Sequence, residues 1–255
     1  MRVLKTIIGI CTNGCENSEN TPSQTEKVAW GYEAENGPDV WGRLSPEYVL
    51  CAEGTRQSPI ALANPTSAKL PALVFNYRPT ALNIHNNGHT IEVTPTAENR
   101  IEIDGTGYEL LQFHFHAPAE HTMDGKSFDM EMHLVHKSKD GTLAVIGVLI
   151  ERGDDHAAFN PIWAHLPAAP GEMKHIENVT LNADDLLPGV RRAYRYDGSL
   201  TTPPCSEGVK WFVLTTPIEL SQAQITAFKA IVHKNNRPVQ ALNGREILVD
   251  IGENK

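Results

Sequence analysis

Phe113-His114-Phe115-His116 is the stretch on which the reading of this chain turns. Side chains alternate faces along a strand, so His114 and His116 share one face while Phe113 and Phe115 share the other. Two imidazoles on a rigid face, backed by two core aromatics, supply two-thirds of a tri-histidine metal site. The third ligand is expected at His133, in the alternating run Glu131-Met132-His133-Leu134-Val135. Three neutral histidines with a fourth position open describe a catalytic zinc site rather than a closed structural one. The chain is therefore expected to be an enzyme.

The surroundings of that stretch are β-like. Alternating or apolar runs occur at 82–85, 90–94, 100–103, 108–116, 130–136, 143–151 and 209–214. Turn formers separate them, as in Asn86-Asn87-Gly88, Asp104-Gly105 and Asp140-Gly141. Helical signals are few. A short helix is expected within 155–166, confined by Pro161, and a better one over 221–233. The second has Ser221 as N-cap and Ile225, Phe228, Ile231 and Val232 on one stripe. The fold class is mainly β with short peripheral helices.

A chain of 255 residues fits one large domain or two small ones and can bury a sizeable core. A formal net charge of -9 with no basic stripe argues against a nucleic-acid partner. Arg2 and Lys5 flank an apolar run ending at Ile10 that is too short to span a bilayer. It fits a short secretory signal, of the lipid-modified kind given Gly14 before Cys15, or equally a disordered leader. Residues 16–27 read as a flexible linker. The division is thus a leader and linker over 1–27 and one catalytic domain over 28–255, folded from near Trp30.

Cys11 and Cys15 lie in the leader, Cys51 and Cys205 in the domain. The latter two either form one disulfide or stay as separate buried thiols, and spacing does not choose between these. A bridge would imply an oxidising compartment and would be worth roughly 4–5 kcal/mol in the chain-entropy model.

Metal-bound histidines need their second ring nitrogen fixed by an acceptor. Gln112 beside the first pair and Glu131 beside His133 are the expected acceptors. His121, His136, His156, His165, His175 and His233 lack a partner signal, and His136 falls on the strand face opposite His133. A rival spacing, His114-x-His116-x-x-x-Glu120, resembles the iron or manganese motif of cupins, with Glu120 as ligand. Gly107 and Gly125 miss the glycine positions of that pattern, so it stays a minor alternative.

Together with Asn86-Asn87-Gly88-His89, Glu120-His121-Thr122 and Gly198-Ser199-Leu200-Thr201-Thr202-Pro203-Pro204, these motifs closely resemble the α-class carbonic anhydrases. The resemblance runs from Trp30-Gly31-Tyr32 to Asn236-Arg237-Pro238-Val239-Gln240. It implies a large central twisted mixed β-sheet and reversible hydration of carbon dioxide by a zinc-bound hydroxide. One Zn2+ would be held by His114, His116 and His133. That family is itself the standard example of such a site bringing a bound water to about pH 7, so the figure is the family's and not one obtained from this chain.

By position, the resemblance makes His89 the proton shuttle and Thr201 the gatekeeper hydroxyl that donates to Glu120 and accepts from the hydroxide. Thr202 would line the polar wall, and Val135, Val145, Leu200 and Trp211 the apolar wall for carbon dioxide. Tyr32 and Asn87 would order waters between zinc and shuttle. It also implies a Cys51–Cys205 disulfide, cis peptides at Ser58-Pro59 and Pro203-Pro204, and inhibition by sulfonamides and small anions. A periplasmic or secreted location follows, and a homodimer is compatible with it. Glu92 departs from the neutral amide of many relatives, and would raise the pKa of His89 or disfavour anionic inhibitors.

Overall fold

The structure, a computed structural model, describes residues 28–250. The leader, with Cys11 and Cys15, lies outside the described residues. The seven predicted runs all become strands of one thirteen-stranded sheet, and a separate two-stranded pair is formed by Ala61–Leu62 and Thr122–Met123. The continuous path across the large sheet runs Met173–Leu181, Thr80–Asn86, Ile91–Val93, Thr106–His116, Met130–Ser138, Leu143–Arg152, Glu207–Leu214, Ala193–Ser199, Leu248–Asp250 and Thr66–Ala68. Neighbours in its first half are antiparallel, whereas Leu143–Arg152 and Glu207–Leu214 are parallel. The sheet is therefore mixed, as expected.

The two faces bury different things. One carries Phe113, Phe115, Met132, Leu134, Ile146 and Val148 into the main core, where Phe159, Ile225 and Phe228 of the peripheral helices meet them. Phe115 lies 5.8 Å from the Phe228 ring and 5.3 Å from that of Trp163. Burying an aromatic of this size stabilises the fold by roughly 1.5–3 kcal/mol, so the two phenylalanines anchor the strand that bears His114 and His116. The opposite face carries the histidines beside a smaller apolar cluster that includes Ile60, Leu62, Val145 and Trp211.

The later helix forms as Gln222–Lys229. Ser221 accepts from the Gln224 N–H while Gln224 caps the Ser221 N–H in return. The earlier one is shorter than expected: a 3₁₀ turn at Ala157–Phe159 runs into Asn160–Trp163, with Pro161 in the opening turn. Eight strands among the described residues were not anticipated, six of them four residues long or shorter and two of them longer. Met173–Leu181 lies at the sheet edge with mostly exposed or half-buried side chains, so its apolar alternation is weak. Ala193–Ser199 contains Arg195, Asp197 and Gly198, and its pairing with Glu207–Leu214 supplies what its composition lacks.

Cys51 and Cys205 are bonded across 154 residues of sequence. That disulfide fits a location outside the reducing cytoplasm. No helix among the described residues is long and apolar enough to cross a membrane. Ser58-Pro59 and Pro203-Pro204 are cis, and Ala117-Pro118 is too.

Candidate active site

Strand register assembles the site from rows of side chains on one face. His114 pairs with His133, and His133 with Gly147. Two residues along in one direction, Gln112, Val135, Val145 and Trp211 form the next row. In the other direction His116 pairs with Glu131. Ligand candidates and apolar wall are thus adjacent rows of a single surface. Gly147 keeps room beneath them, since a Cβ there would come within 3.2 Å of Glu131 Oε1 and of Val213.

The three imidazoles converge. Ring centroids lie 5.0 Å apart for His114 and His116, 5.3 Å for His114 and His133, and 4.6 Å for His116 and His133. One nitrogen from each lies within 4.8 Å of the others. The remaining nitrogens are occupied. His114 Nδ1 is 2.8 Å from Gln112 Oε1, His116 Nδ1 is 2.7 Å from the Asn235 carbonyl, and His133 Nε2 is 2.9 Å from Glu131 Oε1. His116 Nε2 is buried and has no partner. An orphaned buried nitrogen facing two others is what a metal would satisfy, and three neutral imidazoles suit zinc. Burial lowers the pKa of all three, and for His114 the neighbouring histidines lower it further. The lone pairs are therefore free to coordinate.

Glu131 is saturated. Its Oε2 accepts from the backbone N–H of Glu120 at 2.9 Å and of His121 at 2.8 Å. Its Oε1 meets His121 Nδ1 at 2.7 Å as well as His133. Burial alone would raise its pKa, but His121 and His133 outweigh this and hold it well below the usual carboxylate range. His121, Glu131 and His133 also approach closely enough to form a second donor group. Their facing atoms are already hydrogen-bonded to one another, so this group is a network rather than a metal site. His121 Nε2 continues it to the Tyr196 hydroxyl at 2.6 Å, and that hydroxyl reaches Ser58 Oγ at 2.9 Å.

Glu120 stands beside the triad without joining it. Its Oε1 accepts from the Arg237 N–H at 2.8 Å, and its Oε2 is buried and unpartnered, 3.9 Å from His133 Nδ1. The donors able to meet around one ion are the three histidines, so the cupin-like ligand set is not formed. Burial pushes the Glu120 pKa up to about 7, while His133, the Arg237 N–H and Thr201 pull it down. A cation among the histidines would lower it further. Thr201 is buried close by, and Thr202 is half-buried.

Trp211 lies 4.9 Å from the His133 ring, and Val135, Val145 and Leu200 pack in the same cluster. His89 stacks on Trp30 with ring centroids 3.7 Å apart. Asn87 is exposed, and its Oδ1 accepts from the His89 and Thr90 N–H groups, so it shapes the turn that presents His89. Tyr32 packs edge-on against Trp30 and Trp41, and burial together with Glu120 raises its pKa. Glu92 pairs directly with His114 and is half-buried. It does not raise the pKa of His89, which burial lowers. Glu92 is itself raised by burial, with His85 opposing.

Residue patterns missed His121, Asn235, Arg237, Tyr196 and Trp30. His121, Asn235 and Arg237 stand in segments without strand or helix period, where no spacing indicates what a side chain faces.

Fold and donor set are those of a class of metalloenzyme, with three histidines able to hold one metal ion on the face of a large mixed sheet. The family described as eukaryotic-type carbonic anhydrase matches residues 36–251. A carbonic anhydrase of Nostoc sp. is 44% identical over 251 residues, covering 95% of this chain and 92% of the relative. One of Klebsiella pneumoniae is 46% identical over 223 residues, covering 86% and 90% respectively. The α-carbonic anhydrase of Thermovibrio ammonificans, solved with the inhibitor sulfanilamide, superposes with a TM-score of 0.85 at 42% identity. That match covers 88% of this chain and all of the other. The chain belongs to the α-carbonic anhydrase family, zinc enzymes that hydrate carbon dioxide.

Proposed function

We propose that the chain interconverts carbon dioxide and bicarbonate with one zinc ion held by His114, His116 and His133. The observation that carries this reading is the buried, partnerless His116 Nε2 facing the free nitrogens of the other two rings. When bound, the ion supplies the Lewis acidity that makes a water an effective nucleophile near neutral pH. The ligand set contains no anion, so it leaves that acidity undiminished.

The other residues orient and exclude. Val135, Val145, Leu200 and Trp211 form a dry wall suited to a neutral, apolar electrophile. The Thr201 hydroxyl would donate a hydrogen bond to Glu120 Oε2, which leaves the threonine oxygen to accept one from the nucleophile. Thr202 lies on the polar side, where the anionic product forms. His89 takes the released proton at a ring nitrogen and passes it to solvent, with Tyr32 and Asn87 flanking its approach. Gln112 and Glu131 hold the tautomers of their ligand histidines. Sulfonamides and small anions would compete at the open coordination position, and the disulfide fits a periplasmic or secreted enzyme.

The test is stopped-flow carbon dioxide hydration on zinc-loaded and chelated protein. Hydration is expected to require zinc and to be abolished by His114→Ala. Hydration untouched by either treatment would sink the reading.

A further inference from the structure

Arg237 is one of the largest fully buried side chains, 1% exposed. It lies in a segment, 233–240, with no strand or helix of its own, whose backbone is tied down by the Asn235 N–H to the Ala117 carbonyl, the Gln240 N–H to the Pro59 carbonyl, and by bonds to side chains. Its guanidinium donates to Gln57 Oε1, the Ser58 carbonyl and the Cys51 carbonyl, each at 2.8 Å, and faces the Trp41 ring at 5.8 Å. Its backbone N–H donates to Glu120 Oε1.

These bonds close a circuit. Gln57 Nε2 donates to the Cys205 carbonyl at 3.1 Å, and the Cys205 N–H donates to the Thr202 carbonyl at 2.8 Å. Starting at Glu120, the path runs through Arg237 to both half-cystines and returns at the residue next to Thr201. The two members of the gatekeeper pair are thereby fixed relative to each other. Oε1 of Glu120 is consumed by the circuit, and Oε2 is the oxygen left available to Thr201.

We propose that Arg237 is a positioning residue for carbon dioxide hydration, linking the Cys51–Cys205 bridge to Glu120 so that Glu120 and Thr201 stay in register. This rests on the roles assigned above to Glu120 and Thr201. A buried guanidinium bonded to three acceptors fixes an orientation as well as a volume, which an apolar residue of similar size would not do. Misplacing a catalytic contact by about 1 Å can cost on the order of 10²-fold in rate.

The experiment measures hydration per bound zinc in the zinc-loaded full chain. In Arg237→Met, kcat/KM should fall about 10- to 100-fold while zinc affinity and the buffer-limited kcat change far less. Arg237→Lys should recover only part of the loss, because an ammonium keeps the charge but not the planar fork that reaches all three acceptors. A folded Arg237→Met protein with unchanged kcat/KM per bound zinc overturns the proposal, as does a loss that tracks zinc content alone. Should Arg237→Met not fold, Gln57→Ala keeps the guanidinium but cuts the link to Cys205, and a smaller fall in kcat/KM is expected. Its effect should be less than additive with that of Cys51→Ser/Cys205→Ser, and full additivity overturns the coupling. Absence of hydration in the wild type removes the underlying reading and this one with it; an active wild type with indifferent variants removes this one alone.

Discussion

His133 meets Glu131 through Nε2, at 2.9 Å, and therefore presents Nδ1 to the centre of the triad. His114 and His116 do the reverse, spending Nδ1 on Gln112 and Asn235 and presenting Nε2. The unequal presentation makes Glu131 the most consequential support of the site. Glu131→Ala is expected to weaken zinc binding about 10- to 100-fold, read by competition with a chromophoric chelator. It also strips the acceptor from His121 and from two backbone N–H groups, so a fall in thermal stability should accompany it. Unaltered affinity would show that the tautomer of His133 is held by something else.

For His89 the expected signature is a split between steps. His89→Ala should lower the proton-limited kcat by about 10²-fold, the low end of what a positioned proton-transfer group contributes. kcat/KM should change little, because the zinc ligands are untouched. Imidazole-type buffers should restore much of the rate. Failure of that rescue removes His89 as the shuttle and leaves the metal assignment standing.

Thr201→Ala is expected to act on the chemical step. Loss of one preorganised hydrogen-bonding group typically costs about 10²–10³ in rate. kcat/KM should fall within that range with zinc content unchanged, and Thr201→Ser should keep most of the activity. Equal losses in the two variants would mean that packing by the threonine methyl, rather than its hydroxyl, is what matters.

Acid stability should depend on His136, on the face away from the site. Its Nε2 lies 2.7 Å from the Tyr77 hydroxyl, and burial lowers its pKa to about 3. Above the unfolded value near 6.5 the residue is neutral in both states and its stabilisation is fully present. Between pH 6.5 and 3 only the unfolded chain takes up the proton, so stability falls as pH falls, by up to about 1.4 kcal/mol per pH unit from this residue. Replacing both partners, His136→Phe with Tyr77→Phe, should make that slope shallower in urea titrations of zinc-free protein. Identical slopes would contradict the assignment.

Much of this protein is legible in local patterns. The alternation of Phe113 to His116 predicts two core-facing rings and two site-facing imidazoles, and the structure has both. Residues two apart on a strand share a face whatever surrounds them, so that information is local. The same holds for Ser221 as a helix cap, and for His136 facing away from His133.

Other features depend on contacts between distant parts of the chain. Cys51 meets Cys205 across 154 residues, and spacing left their pairing open. The partner of His116 is the backbone of Asn235, 119 residues away, and no side-chain pattern marks a carbonyl. His121 carried no partner signal in the sequence, yet it is fully buried and locks Glu131. Arg237 reaches Gln57, Ser58 and Cys51 only once the sheet has brought their loops together. Period and turn chemistry thus placed the histidines on one face of a strand. Which nitrogen each one offers, and what holds Glu120 beside them, depends on hydrogen bonds that exist only in the assembled fold.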